Sequence, residues 1–171
     1  DDRESWARAT GDLINSFLKP DQNPIQFDYT LIRPLGSPIK TFGGTASGPV
    51  PLIKLHEAIK KIFLGRAGEK LTRKDIADIG NLIGVCVVSG NVRRSAELLI
   101  GRIDDQDFLN LKNAEVFPER NSYDSESPGW GWMSNNSVEV SVGQDLSPIV
   151  DGIARNGEPG VIWMDMARKY G

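Results

Sequence analysis

The sequence is poor in cysteine and histidine, and each shortage narrows the classes of protein that fit. Its 171 residues include one cysteine, Cys86, and one histidine, His56. A single cysteine cannot form an intrachain disulfide, so a disulfide-stabilised scaffold is excluded and a reducing, cytoplasmic setting is expected. A metal site at His56 would need partner ligands in a metal-binding pattern, and the sequence shows no such pattern around it. We therefore expect no metal centre in this chain.

The chain also lacks a basic charge excess, a long apolar run and a signal peptide. Its net charge is −3, which argues against a nucleic-acid partner. No apolar stretch approaches the length of a membrane span, and residues 1–4 are charged, unlike a secretory leader. With 39% hydrophobic and 25% charged residues, the composition is that of one globular domain. We expect the chain to be a piece of a longer protein.

Local sequence patterns predict helices and strands in alternation. Apolar residues at helical spacing predict a first helix capped by Ser5, a second over 51–64 closed by Gly65 and Gly68, and a third that opens at Thr72 and ends near Gly90. Strands are predicted over 27–32, 95–100, 137–142 and 161–166, with a short helix near Phe108 and another over 146–156. This order favours an α/β fold whose sheet or barrel is built by crossovers.

The segment FGGTASGP, residues 42–49, is too rich in glycine for a helix or strand interior. Gly43, Gly44 and Ser47 leave the backbone accessible, as in loops that approach a phosphate or sugar closely. The alternative is a tight connection whose glycines only permit unusual dihedral angles. Arg33 and Lys40 flank the segment, and they are either phosphate ligands or solvated loop cations.

Arg93 and Arg94 lie in the segment SGNVRRSAEL, between a predicted buried helix and a predicted strand. Strand alternation sends their side chains to opposite sides. Buried arginines are rarely unpaired, so one is expected in a structural ion pair while the other can reach a ligand.

A long loop covers residues 114–133, and loops of this length are often functional. Trp130 and Trp132 can stack on a base, and Asn135 and Asn136 can hydrogen-bond to sugar or base edges. Alternatively, the tryptophans only anchor the loop. Cys86 is interpreted as a core residue and His56 as a surface or boundary residue. Residue patterns alone lead no further than an α/β nucleotide-binding module.

Several long motifs, in chain order, resemble the adenosylcobalamin-dependent (class II) ribonucleotide reductases, and the nearest likeness is to the ribonucleoside-triphosphate reductase type. The resemblance covers residues 27–171. The motifs that carry it are IRPLGSPIKTFGGTASGPVPL, DIGNLIGVCVVSGNVRRSAELLIG, DDQDFLNLKN, WMSNNSVEV and NGEPGVIWMDMARKYG.

This resemblance implies a fold, a reaction and a set of partners. The fold is a ten-stranded α/β barrel of the kind shared with glycyl radical enzymes, of which this chain would be a part. The reaction is thiyl-radical reduction of ribonucleotides, here triphosphates, to deoxyribonucleotides for DNA synthesis. Adenosylcobalamin generates the radical, a thioredoxin-like dithiol is the reductant, and a deoxynucleotide effector controls which substrate is used. The partners are therefore the substrate, the effector, the reductant and the remainder of the barrel, without nucleic acid or membrane.

The resemblance also assigns roles to residues of this chain. Residues 33–49 correspond to an effector-side loop, so Arg33 and Lys40 are expected to bind effector phosphates. Residues 114–136 correspond to a substrate and specificity loop. The residues expected to face substrate are Gly43, Gly44, Ser47, Asn91, Arg93, Arg94, Ser134, Asn135 and Asn136.

The family's radical and redox cysteines do not occur in this sequence, and Cys86 lies in none of their motifs. No catalytic residue is therefore assigned, and the cofactor site is expected outside this chain, which should be inactive alone. Two other interpretations remain open. One is a non-catalytic nucleotide-binding or regulatory module, and the other is the large subunit of a class I reductase with a separate radical source.

Overall fold

The structure is a computed structural model that describes residues 2–19, 25–40, 43–90 and 95–171. It divides the chain into two compact units. The helical unit comprises Asp1–Leu71 with Val85–Arg94, and the sheet unit comprises Thr72–Gly84 with Ser95–Gly171.

The helical unit is built on helices α1 (Arg3–Leu18) and α2 (Val50–Leu64). Asp2 caps α1, because its extended backbone lets the carboxylate accept the Ser5 N–H at 2.6 Å. The prediction that Ser5 is the cap was wrong, since Ser5 lies within the first turn. Gly65 ends α2, as predicted.

Apolar side chains of α1 and α2 form the core of the helical unit. Phe17 of α1 stacks on Phe63 of α2 with ring centroids 4.9 Å apart. The buried side chains at helical spacing are Leu13, Leu52, Leu55, Ile59 and Phe63. The spacing of these residues is what predicted both helices.

Helix α3 (Arg73–Val88) opens with the predicted capping box. Thr72 Oγ1 accepts the Asp75 N–H at 3.1 Å, and Asp75 Oδ2 accepts the Thr72 N–H at 2.8 Å. The helix ends just before Gly90, as predicted.

The sheet unit contains a parallel sheet of three strands in the order β1-β2-β3. Its elements are β1 (Glu97–Arg102), α4 (Gln106–Leu109), a short 3-10 helix (Gly131–Met133), β2 (Ser134–Val140), α5 (Ser147–Asn156), β3 (Gly160–Trp163) and α6 (Met164–Tyr170). Parallel pairing of successive strands requires crossovers, so the predicted α/β class is confirmed. The described residues do not form a closed barrel.

The strand predicted over 137–142 begins three residues earlier, at Ser134, and two other predicted strands differ more from the structure. Residues 27–32 are irregular and contain a turn, in which Ile32 N–H donates to Tyr29 O at 3.1 Å and Asp28 accepts from Thr30 N at 2.9 Å. Local hydrogen bonds of this kind compete with strand pairing. The last strand stops at Trp163, and residues 164–166 begin α6 instead.

The two faces of the sheet have different environments. Val138 and Val140 of β2 pack with Phe108, Leu111 and Ile149 in the unit's apolar core. Side chains that alternate to the other face of edge strand β1 are exposed, Leu98 at 57% and Ile100 at 53%. Among the described residues, no helix has both the length and the apolar character that crossing a bilayer requires.

Candidate functional site

The glycine-rich segment forms a small hairpin in the helical unit. Ala46 N donates to Ser37 O at 2.8 Å and Gly36 N to Ala46 O at 3.0 Å, and Pro38 pairs with Thr45 in an antiparallel bridge. Gly43 and Gly44 have φ angles of 73° and 81°, which other residues rarely adopt. The hairpin thus needs Gly43 and Gly44 for its backbone geometry, and both glycines are exposed.

The hairpin places the predicted effector and substrate residues at its surface. Arg33, Lys40, Gly43 and Gly44 are exposed, and Ser47 is half-buried. A side chain at Gly90 would begin 3.6 Å from Ser47 Cβ, so the end of α3 packs closely on the hairpin. The hairpin therefore lies beside the residue that precedes the predicted arginine segment. Asn91, Arg93 and Arg94 themselves lie outside the described residues.

A buried arginine of the sheet unit joins the long loop to helix α3 by hydrogen bonds. Arg120, from the long loop, is 1% exposed and donates to Asp78 Oδ1 and to Asn81 Oδ1 on α3. Its Nε also donates to Leu111 O at 3.0 Å. Burial lowers the pKa of Arg120 to about 10, and the Glu158 carboxylate opposes that shift. The guanidinium therefore stays charged at neutral pH, paired with Asp78.

The Asp78 carboxylate also accepts hydrogen bonds from Lys74 on α3 and from Trp130 of the long loop. Lys74, one turn earlier on α3, donates to Asp78 Oδ2 at 2.6 Å. Trp130 Nε1 donates to Asp78 Oδ1 at 2.7 Å. A buried carboxylate with several donors is well compensated, so this cluster fastens the long loop to α3.

Asn81 joins the starts of the first two strands to the same cluster. Its Nδ2 donates to Glu97 Oε2 at 2.8 Å, where β1 begins. Ser134 Oγ, where β2 begins, lies 3.4 Å from Asn81 Oδ1 and donates at 2.9 Å to Asn136 Oδ1. Asn81 is 0% exposed, so these contacts are shielded from water.

Polar contacts extend from β2 towards the residues before β3. Asn136 N–H donates to Glu158 Oε2 at 3.1 Å. Lys112 Nζ lies 3.4 Å from Glu158 Oε1 and donates to Ser134 O at 2.6 Å. Among the described residues, Asn136 Nδ2 is the buried side-chain atom without a hydrogen-bond partner. The amino-terminal edge of the sheet is therefore polar and partly buried.

The structure separates the three predicted substrate-facing residues of β2. Ser134 and Asn136 are buried, at 1% and 3% exposure, in the polar network. Asn135, between them, is exposed and pairs in register with Leu98 of β1. Because side chains alternate along a strand, Asn135 belongs to the sheet face opposite the apolar core.

The tryptophans of the long loop have different environments. Trp130 is half-buried and hydrogen-bonded to Asp78, as the anchored-loop alternative expects. Trp132 is 58% exposed, with its Nε1 donating to Gly129 O at 2.9 Å. Of the two, Trp132 retains an accessible ring surface.

Arg120, Asp78 and Asn81 were missed by sequence reasoning. The sequence predicts a structural ion pair for Arg93 or Arg94, whereas the described buried ion pair uses Arg120. One signal was available, because Asp78 and Asn81 lie one turn apart while the other residues from Ile76 to Val88 are apolar or glycine. The partner was not identifiable, since Arg120 comes from an irregular loop far along the chain.

The prediction that His56 lies at the surface or a boundary was wrong. His56 is 1% exposed, and its ring nitrogens lie 3.2 Å from Thr10 Oγ1 and 2.8 Å from Tyr29 Oη. Burial lowers the pKa of His56 from 6.5 to about 4, and Lys60 adds to this effect. Cys86 is buried as predicted, and burial raises its pKa to about 11. The described ranges hold no group of three or more His, Cys, Asp or Glu side chains arranged for a metal.

Part of the chain matches a known protein family. The family described as "B12-dependent ribonucleotide reductase, insertion domain" matches residues 1–63. No solved structure matches the chain.

Three relatives are named adenosylcobalamin-dependent ribonucleoside-triphosphate reductase. The Euglena gracilis protein is 44% identical over 170 residues, covering 99% of this chain and 22% of the relative. The Lactobacillus helveticus protein is 45% identical over 179 residues, covering 100% and 22%. A Lactobacillus delbrueckii subsp. bulgaricus protein is 44% identical over 176 residues, covering 100% and 23%.

This chain thus spans about a fifth of the length of these relatives. The resemblance drawn from the sequence motifs is confirmed: along its whole length, the chain is similar to one region of the adenosylcobalamin-dependent ribonucleoside-triphosphate reductases.

Proposed function

We propose that this chain is the effector- and substrate-facing region of an adenosylcobalamin-dependent ribonucleotide reductase. The whole protein would convert ribonucleoside triphosphates to deoxyribonucleoside triphosphates by thiyl-radical chemistry, with a thioredoxin-like reductant. The observation that carries this proposal is an identity of 44% to such a reductase over 99% of the chain.

The structure is compatible with the role proposed for the sheet unit. Its parallel sheet is covered on one face by the apolar core, while Leu98, Ile100 and Asn135 are exposed on the other. Strands of α/β barrels have this arrangement, with one face under helices and the other directed inward. We propose that the exposed face is directed into the barrel, where Asn135 would meet substrate.

The glycine hairpin is the proposed effector side. Arg33, which precedes the hairpin, and Lys40, which lies in it, are exposed and carry the positive charge that attracts triphosphate oxygens. Exposed backbone at Gly43 and Gly44 allows a close approach by a ligand. Arg93 and Arg94 remain proposed substrate-facing residues on the strength of the motif alone.

The described residues do not fit a role in holding the cobalt of adenosylcobalamin. The single histidine, His56, is buried with both ring nitrogens in hydrogen bonds to Thr10 and Tyr29. We therefore place the cofactor site on other parts of the protein, where it would generate the radical.

Reduction of a ribonucleoside triphosphate by the full-length protein tests the proposal. The assay combines the protein, adenosylcobalamin, a dithiol and ATP, CTP, GTP or UTP, each with and without deoxynucleotides. We expect deoxynucleotide product that depends on adenosylcobalamin and changes with the added deoxynucleotide.

Three other results would contradict the proposal in different ways. Nucleotide binding without turnover would favour the non-catalytic module. Activity that needs a second metal-containing subunit and not adenosylcobalamin would favour the class I alternative. Turnover of diphosphates alone would correct the substrate class.

A further inference from the structure

Asn81 lies where three separate segments of the sheet unit meet. It contacts Glu97 at the start of β1, Ser134 at the start of β2, and Arg120 of the long loop. Glu97 and Ser134 are also register partners across the sheet. One buried side chain therefore holds the first residue pair of the β1–β2 ladder against α3.

The orientation of the Asn81 amide is determined by its neighbours. A guanidinium can only donate, so the Asn81 oxygen must face Arg120. The amide nitrogen then faces Glu97, whose Oε2 accepts its hydrogen bond. The amide nitrogen of Asn81 therefore faces Glu97 of β1, and its oxygen faces Arg120 of the long loop and Ser134 of β2.

Gly84 of α3 provides space for Glu97 near Asn81. A methyl group at Gly84 would overlap Glu97 Oε1 and lie 2.6 Å from Met133 Cγ. Glycine is less favourable than alanine inside a helix. The helix therefore gives up some helix propensity at Gly84 to accommodate the Glu97 side chain that Asn81 contacts.

We propose that Asn81 is a positioning residue for the nucleotide substrate, acting through the starts of β1 and β2. This inference rests on the proposed function. Asn135 follows Ser134 directly, and its register partner Leu98 follows Glu97. Fixing Glu97 and Ser134 therefore fixes where Asn135 stands on the exposed face. Glu97 also lies three residues after Arg94 in sequence, so it anchors the strand that continues from the proposed arginine segment.

The test is a pair of substitutions that break and restore the contact between Asn81 and Glu97. Asn81→Asp keeps the oxygen that faces Arg120 but turns the other contact into carboxylate against carboxylate. Adding Glu97→Gln supplies an amide donor to the new carboxylate and rebuilds the bond in reverse. Asn15→Asp makes the same chemical change on α1, in the helical unit, and serves as the matched control.

Hydrogen exchange in the full-length protein is the first readout. We expect Asn81→Asp to speed exchange of the amides at 97–99 and 134–136 about tenfold or more, with the double variant returning towards the unaltered protein. Unchanged exchange in Asn81→Asp, or no recovery in the double variant, would overturn the positioning role.

The second readout is the steady-state kinetics of ribonucleoside-triphosphate reduction. We expect Asn81→Asp to raise KM about tenfold, and the double variant to restore it, because misplaced binding residues weaken substrate binding. A lower maximal rate of Asn81→Asp at an unchanged KM would show that fewer protein molecules are folded and active. That result would indicate a merely structural role and overturn the inference. If the unaltered protein has no reductase activity, the proposed function fails, and hydrogen exchange alone decides whether Asn81 positions the strands.

Discussion

The helical unit and the sheet unit both bury polar side chains, but of different kinds. In the helical unit, His56 is held by two hydroxyl groups, those of Thr10 and Tyr29. In the sheet unit, a charged pair, Arg120 and Asp78, is buried at 1% exposure each. Breaking a hydrogen bond in a buried neutral cluster costs about 1–3 kcal/mol, whereas removing one partner of a buried ion pair costs about 3–5 kcal/mol. We therefore expect the sheet unit to be the more sensitive of the two to single polar substitutions.

Arg120→Ala should have the largest effect and would sharpen this contrast. It leaves Asp78 buried without its arginine, which costs about 3–5 kcal/mol. We expect the opening free energy of amides in β2 and residues 73–84 to fall by that amount, while amides of α2 do not change. Native-state hydrogen exchange on the full-length protein measures both together.

Arg155, an exposed arginine on α5, supplies the control for that experiment. Its replacement by alanine should change the same opening free energies by less than about 0.5 kcal/mol. A loss below about 1 kcal/mol for Arg120→Ala would mean that Lys74 and Trp130 compensate Asp78 by themselves, and the contrast between the units would disappear.

Ile59→Ala comes second, because it tests the apolar core of the helical unit. Ile59 is 0% exposed, and truncation to alanine in such a site costs about 2–5 kcal/mol. Ile59→Val removes one methylene and should cost about 0.5–1.5 kcal/mol. Exchange at α1 and α2 amides reports the loss, and amides of β2 should be unaffected. Equal losses in both units would show that they unfold together.

Lowering the pH comes third, because its effect is absent at neutral pH and develops only as the pH falls below 6.5. The pKa of His56 is about 4 in the folded chain against 6.5 when unfolded. Between these values the unfolded chain binds a proton that the folded one excludes, so stability falls as the pH drops from 6.5 towards 4. Exchange at α1 and α2 amides, measured across this range, should show the loss.

His56→Gln is the matched variant for the pH experiment. Glutamine keeps hydrogen-bonding capacity but does not titrate, so its helical unit should lose the part of the pH dependence that His56 contributes. An unchanged pH profile in His56→Gln would assign the dependence to carboxylates instead.

Sequence patterns predicted the regular elements well where one local signal was sufficient. Helices α2 and α3 follow from apolar spacing and from the capping box of Thr72 and Asp75, and β1 from its run of apolar residues. The strand prediction for residues 27–32 rested on their aromatic and β-branched composition and failed, because Phe27 packs on His56, with ring centroids 4.5 Å apart, and no strand among the described residues pairs with this segment. A composition that favours strands does not by itself supply a neighbouring strand.

The candidate site was predicted in part. The motif that contains Ser134, Asn135 and Asn136 was identified, and the register then showed that only Asn135 lies on the exposed face. The roles of Arg120, Asp78 and Asn81 were not predictable, because their contacts join residues 39 to 42 positions apart. No local pattern encodes a contact of that range.

By itself, the sequence determined the α/β class, most element positions, the burial of Cys86 and the likeness to one region of the adenosylcobalamin-dependent reductases. These depend on local periodicity or on long motifs that are read along the chain. Only the tertiary structure decided that His56 is buried, which arginine pairs with Asp78, and how strand pairing divides Ser134, Asn135 and Asn136 between two faces. Each of these depends on which distant residues supply hydrogen-bond partners, and burial makes those partners obligatory.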